Sequence, residues 1–196
     1  MSNGKEIGGV LQRLCVFCGS SMGKRAAFQL AARDLGRLLA TQGIELIYGG
    51  GNCGLMGVLA NEVLNCGGRV TGVIPEVLMF KELGHLDLTK LHVVADMHQR
   101  KALMANLADG FLALPGGFGT FEELFEVITW GQLDLHQKPI GLVNVEGFFD
   151  PVIELMDHAI CEGFARPEQR QLLVSSASPI EVLQMMGKRV SECAPL

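Results

Sequence analysis

Continuous apolar runs and helical stripes alternate along this chain. Short apolar runs at 14–18, 45–48, 69–74, 91–94, 110–114, 139–143 and 172–174 predict strands. They are continuous rather than alternating, which predicts strands buried on both faces, as in a parallel sheet. Between the first two runs, Phe28, Leu30, Ala31, Leu35, Leu38 and Leu39 recur at helical spacing over 24–42, and Gly43 closes that helix. A second helix is expected at 55–65, stopped by Gly67-Gly68, and Pro75 breaks the strand that follows. Asp96, with Gln99 three residues on, reads as the capped start of a helix reaching about 107. Another helix is expected at 120–132. Asp150-Pro151 and Ser178-Pro179 each set a capping residue before a first-turn proline, opening helices near 151–161 and 179–189. The sum is α/β: a Rossmann-like doubly wound, mainly parallel sheet of about seven strands with helices on both faces. Residues 13–190 form one domain in this reading, 1–12 a disordered extension and 191–196 a C-terminal tail. Ligands of such a fold sit at the carboxyl ends of the strands.

The chain has 196 residues, 48% of them apolar, 25 glycines and a formal net charge of −5. That balance argues against a nucleic-acid or anionic-membrane surface, so any anion site must gather positive charge locally. No apolar run approaches the ~18 residues of a membrane span. The first twelve residues carry no apolar signal core, and a cytoplasmic address is expected. Cys15 and Cys18 spell C-x-x-C, but inside a strand they face opposite sides of the sheet, and no second pair completes a zinc site. Buried thiols are the better reading. His85, His92, His98, His136 and His158 lack metal-ligand spacing.

Two glycine loops carry candidate chemistry. Gly49 to Gly54 spells G-x-G-x-x-G between a strand and a helix. Phosphate or nucleotide contact through Gly50 and Gly51 competes here with a plain tight turn and with a dinucleotide site. A dinucleotide fingerprint belongs after the first strand, and this one follows the second. The other loop, Gly116-Gly117-Phe118-Gly119-Thr120, joins the buried 110–114 run to a helix. Glycines let backbone N–H groups approach a ligand, and a helix start adds partial positive charge, so the loop reads as a phosphate cradle. Thr120 and Glu123 have capping-box spacing, which leaves Glu123 either a capping residue or a reactive carboxylate. Arg100 and Lys101 stand near a helix start, where cations oppose the macrodipole by ~0.3–1 kcal/mol, which favours an anionic or carboxylate partner. Glu82 and Glu122 read equally as surface acids or ligand contacts. No lysine context marks a Schiff base with pyridoxal phosphate.

Pro115-Gly116-Gly117-Phe118-Gly119-Thr120-Phe121-Glu122-Glu123 reproduces P-G-G-x-G-T-x-x-E. With Met97-His98-Gln99-Arg100-Lys101, it resembles the LOG (Lonely Guy) family of cytokinin riboside 5′-monophosphate phosphoribohydrolases. Cys18-Gly19-Ser20-Ser21, Tyr48 to Gly51, Gly54 to Gly57 and Val127 to Trp130 extend the likeness over about 14–190. The resemblance implies a homodimer that cleaves the N-glycosidic bond of a nucleoside 5′-monophosphate, a cytokinin nucleotide or AMP, with no metal or organic cofactor. It implies Arg100 and Glu123 as the catalytic pair. It implies substrate contacts at Glu82, Arg100, Lys101, Gly116, Gly117, Phe118, Gly119, Thr120, Phe121, Glu122 and Thr129. Ser20, Gly50 and Gly51, in the other glycine-bearing loops, are further candidate substrate contacts. Phe28 stands where the family often has tyrosine, and Leu83-Gly84-His85 departs from its usual loop. A non-catalytic nucleotide or molybdenum-cofactor carrier on the same fold is the alternative.

Overall fold

The computed structural model describes residues 11–79 and 84–193, with side chains to 190. Its strands are β1 (Arg13–Phe17), β2 (Glu45–Tyr48), β3 (Val70–Pro75), β4 (Lys90–Val94), β5 (Gly110–Ala113), β6 (Ile140–Val143) and β7 (Leu173–Ser176). They form one sheet in the order β4-β3-β2-β1-β5-β6-β7, and every pairing is parallel. The helices are α1 (Ala26–Thr41), α2 (Gly54–Asn65), α3 (Met97–Leu107), α4 (Phe118–Gln132), α5 (Asp150–Cys161) and α6 (Pro179–Cys193).

Strand alternation divides the core into two layers. Leu14, Val16 and Cys18 join α1, α2 and α6 on one face. Cys15, Phe17, Phe111 and Ala113 join α3 and α4 on the other. Cys15 and Cys18 are thus free thiols on opposite sides of the sheet, as the strand period requires. Each large side chain so buried contributes about 1.5–3 kcal/mol of transfer free energy.

Several boundaries differ from expectation. Leu11 is fully buried, and the Gln12 carbonyl accepts from Glu45 N at 2.8 Å, so packing begins inside the stretch expected to be disordered. The α6 backbone runs to Cys193, into the expected tail. Asp150 is the first residue of α5 rather than its cap: Phe149 holds that position, and Asp150 Oδ1 accepts from Asn144 Nδ2 at 2.7 Å.

Strand order reverses direction between β1 and β5. The chain leaves both at their carboxyl ends, and the two exits are stitched together: Gly19 N donates to Pro115 O at 3.1 Å and Leu114 N to Phe17 O at 2.9 Å. In open α/β sheets this reversal opens a crevice.

Candidate active site

A cleft of about 240 Å³ lies at this crevice. Cys18, Gly19 and Ser20 wall it from the β1 exit, Arg100 and Met97 from α3, and Gly117, Phe118, Gly119, Thr120, Glu122 and Glu123 from α4, with Met56 and Leu78 completing it.

The N-terminus of α4 is chemically open. Its N-cap is Gly117, which has no side chain to cap it with; the first helical bond runs from Phe121 N to Gly117 O at 3.1 Å. The capping-box alternative for Thr120 and Glu123 does not form, because Gly117 is the N-cap and both residues lie inside the helix. The amides of Phe118, Gly119 and Thr120 begin the helix beside the cleft, where an anion can accept from them. The loop's glycines divide by role. A Cβ on Gly116 would collide with Thr120 Oγ1, so this glycine serves packing, with Thr120 buried against it. Among the described residues, a Cβ on Gly117 or Gly119 would meet no atom within 4 Å beyond its own stretch of chain, so their bare backbone faces open space.

The other glycine loop does different work. Leu55 N and Met56 N, at the start of α2, both donate to Gly19 O, at 2.9 and 3.3 Å, so those donors are already taken. Gly54 has φ +57° and packs on the Ser20–Ser21 backbone. Gly50 O accepts from His85 N at 2.9 Å, and Gly51 bridges to Gly84. Neither Gly50 nor Gly51 lines the cleft. Gly49 supports the site from behind: its carbonyl accepts from Arg100 Nη2 at 3.0 Å.

Arg100 is only 5% exposed. Asp96 caps α3 by accepting from Gln99 N at 2.8 Å, which fixes where on the helix Arg100 falls. Arg100 and Glu123 act on common ground. The buried Cys15 thiol is pushed up by desolvation first, then by the Glu123 charge, and is drawn down by Arg100. Burial and then Glu123 also raise Cys18, in the cleft wall. Lys101 does not line the cleft; its ammonium lies between Glu122 and Glu126, and the Glu122 contact chiefly raises its pKa. Phe121 stacks on Phe148 with ring centroids 6.3 Å apart. Thr129 is exposed about three turns along α4, its hydroxyl donating to Phe125 O at 2.7 Å, in a groove shared with α5. Glu82 lies outside the described residues.

Sequence reading missed Cys18, Gly19, Leu78 and Met97 as wall residues. The rule that ligands gather at carboxyl strand ends could have found the first two, which directly follow β1. A larger concavity of about 590 Å³, lined by Lys138, Arg189 and Asp134 among others, lies near Pro139 and Leu172, where β6 and β7 begin, and holds neither Arg100 nor Glu123.

Comparison with known proteins settles the kinship. A family model described as "Possible lysine decarboxylase" matches residues 56–186. The chain is 51% identical over 174 residues to the probable cytokinin riboside 5′-monophosphate phosphoribohydrolase LOGL1 of Oryza sativa subsp. japonica, covering 89% of this chain and 78% of that one. This chain belongs to the LOG family. It is also 48% identical over 184 residues to the cytokinin riboside 5′-monophosphate phosphoribohydrolase LOG3 of Arabidopsis thaliana, covering 94% of this chain and 84% of LOG3. Among solved structures, the molybdenum cofactor carrier protein of Chlamydomonas reinhardtii superposes with TM-score 0.68 at 17% identity, covering 91% of this chain and 98% of that one. The molybdenum cofactor binding protein of Rippkaea orientalis gives 0.67 at 19%, covering 90% and 95%. At such identities these two show the shared fold alone, whereas LOG membership rests on sequence.

Proposed function

We propose that this protein hydrolyses the N-glycosidic bond of nucleoside 5′-monophosphates, cytokinin riboside 5′-monophosphates or AMP, to free base and ribose 5-phosphate. One observation carries the reading: the uncapped start of α4 shares a cleft with Arg100 and Glu123. Relatives about half identical over most of the chain bear that activity in their names.

Bond cleavage follows from that arrangement. The 5′-phosphate takes the Phe118, Gly119 and Thr120 amides and the Ser20 hydroxyl. The apolar side chains of Met56, Leu78 and Met97 offer a bed for the base. As the glycosidic bond stretches, positive charge grows on the ribose, as in an oxocarbenium-like transition state. The Glu123 carboxylate stabilises that charge and orients the attacking water. The Arg100 guanidinium stabilises electron density on the departing base; a guanidinium holds its proton too tightly to donate it.

The reading extends to a homodimer in the cytoplasm, with no role for nucleic acid or a membrane. Phe125, Ile128 and Thr129 of α4 and Leu155, Met156 and Ile160 of α5 line an apolar groove of about 170 Å³. Leu155 is 57% exposed there. Pairing through this face would give Thr129 a route to a substrate. Leu155→Glu should turn a dimer into a monomer by light scattering; a wild-type protein that is monomeric at micromolar concentration removes the dimer.

The deciding assay incubates the protein with AMP and with isopentenyladenosine 5′-monophosphate and detects free base. Glu123→Ala and Arg100→Ala should stay folded and lose at least about 100-fold in turnover. Native rates in both variants would refute the catalytic assignment, and tight nucleotide binding without turnover would favour a carrier.

A further inference from the structure

The catalytic pair has a neighbour that sequence reading passes over. Glu122 and Glu126, four residues apart, share one face of α4. Lys101 of α3 reaches between them, its Nζ 2.5 Å from Glu122 Oε1 and 3.0 Å from Glu126 Oε1. The two carboxylates are not equivalent. The Glu122 side chain is 52% exposed and lines the cleft, whereas Glu126 is 25% exposed and does not. Glu126 and Lys101 instead line a small pocket behind Glu123 with Met104 and Trp130. Lys101, 13% exposed, needs a carboxylate, because a desolvated cation without one is costly. Glu122 therefore has two competing uses, the ammonium behind it and a ligand in front. A second carboxylate on the sheltered side resolves the competition.

We infer that Glu126 is a positioning residue: it anchors Lys101 against α4 and leaves Glu122 available to the sugar of a bound nucleotide. The anchoring rests on Glu126 being the more sheltered of the two partners, although Glu122 makes the shorter contact; the use of Glu122 rests on the phosphoribohydrolase reading. Two measurements test the two parts separately. Acetylation of Lys101 by acetic anhydride, followed by peptide mass spectrometry, needs no turnover. It should run about fivefold faster in Glu126→Gln, return to the native rate in Glu126→Asp, and change less than about twofold in Glu122→Gln. Acceleration in Glu122→Gln as large as in Glu126→Gln makes Glu122 the anchor and overturns the inference.

The second measurement is a double-mutant cycle with AMP. Glu126→Gln should raise KM about fivefold with kcat within about twofold, and adding it to Glu122→Gln should raise KM no further. A fall in kcat at constant KM, or the full KM penalty in the Glu122→Gln background, overturns the assignment. If the wild-type protein releases no base, the hydrolase reading fails. Calorimetric titration with ribose 5-phosphate then replaces KM in the same cycle, and the labelling order still decides whether Glu126 anchors Lys101.

Discussion

Gly49 shows how much one missing methyl group sustains. A Cβ at that position would collide with Arg100 Nη2, and its second-nearest neighbour would be Arg100 Cζ at 3.1 Å. The guanidinium therefore occupies the space a side chain would take, held by the Gly49 carbonyl and buried by what surrounds it. Gly49→Ala should displace Arg100 while leaving the sheet intact. A shift of about 1 Å in a catalytic group can cost on the order of 100-fold in rate, and kcat/KM should fall by about that much. Steady-state kinetics beside circular dichroism check this; native kinetics would show that Arg100 tolerates the move. Arg100 and Glu123 could both be singled out from sequence, one as a cation in an awkward helical position, the other as a carboxylate beside a glycine loop. The work of Gly49 could not, because a run of glycines does not say what fills the space of each absent Cβ. Glu126 was invisible for a related reason: its partner lies 25 residues away on another helix, and only packing brings them together.

Among the elements, α4 matters most, and its first turn is where sequence and structure part. Thr120 looked like a cap, and weak helical propensity at Gly117 and Gly119 hid the helix's first turn. Asp96 was read correctly because its cap is local, satisfied three residues on. The consequence for α4 is a first turn whose residues avoid the usual stabilising choices, which is expected where binding rather than stability sets the sequence. Gly119→Ala separates the two. Among the described residues a Cβ there meets nothing beyond its own helix, so helix propensity alone should stabilise by about 0.5–1 kcal/mol, raising Tm by about 1–4 °C. In the cleft the same methyl group stands where a phosphate would approach the amides, and KM for AMP should rise about tenfold. Calorimetric melting with kinetics on the same sample tests the pair of effects; a variant both more stable and unchanged in KM would place the phosphate elsewhere.

At the scale of the whole molecule the parallel, doubly wound sheet was legible, since seven apolar runs separated by helical stripes allow few other arrangements. The place where strand order reverses, between β1 and β5, was not, because strand order depends on long-range pairing. The same is true of two histidines that tie distant segments to the body. His85, 2% exposed, places Nε2 3.1 Å from Asn61 Oδ1 while its Nδ1 accepts from Asp87 N at 3.4 Å. His136 places Nε2 2.9 Å from Val127 O while its Nδ1 accepts from Lys138 N at 3.1 Å. Each ring is therefore neutral with its proton on Nε2, and a second proton on Nδ1 would face an N–H donor. Burial lowers both pKa values from 6.5; Asp87 partly offsets this for His85, as the Val127 carbonyl does for His136, where Lys138 adds to the lowering. The sign follows directly. Below 6.5 the unfolded chain takes up protons that the folded chain refuses, so stability is fully present above 6.5 and is lost as pH falls toward the folded values. Carboxylates titrate lower, near ~4 in unfolded chains, which leaves the interval from about 6.5 to 5 to the histidines. Tm should be level from about pH 8 to 7 and decline across that interval. The double variant His85→Gln with His136→Gln should melt lower at pH 7.5 but lose most of the slope. A wild-type Tm that stays level down to pH 5, or a slope that survives both substitutions, would mean that these two rings do not couple protonation to folding.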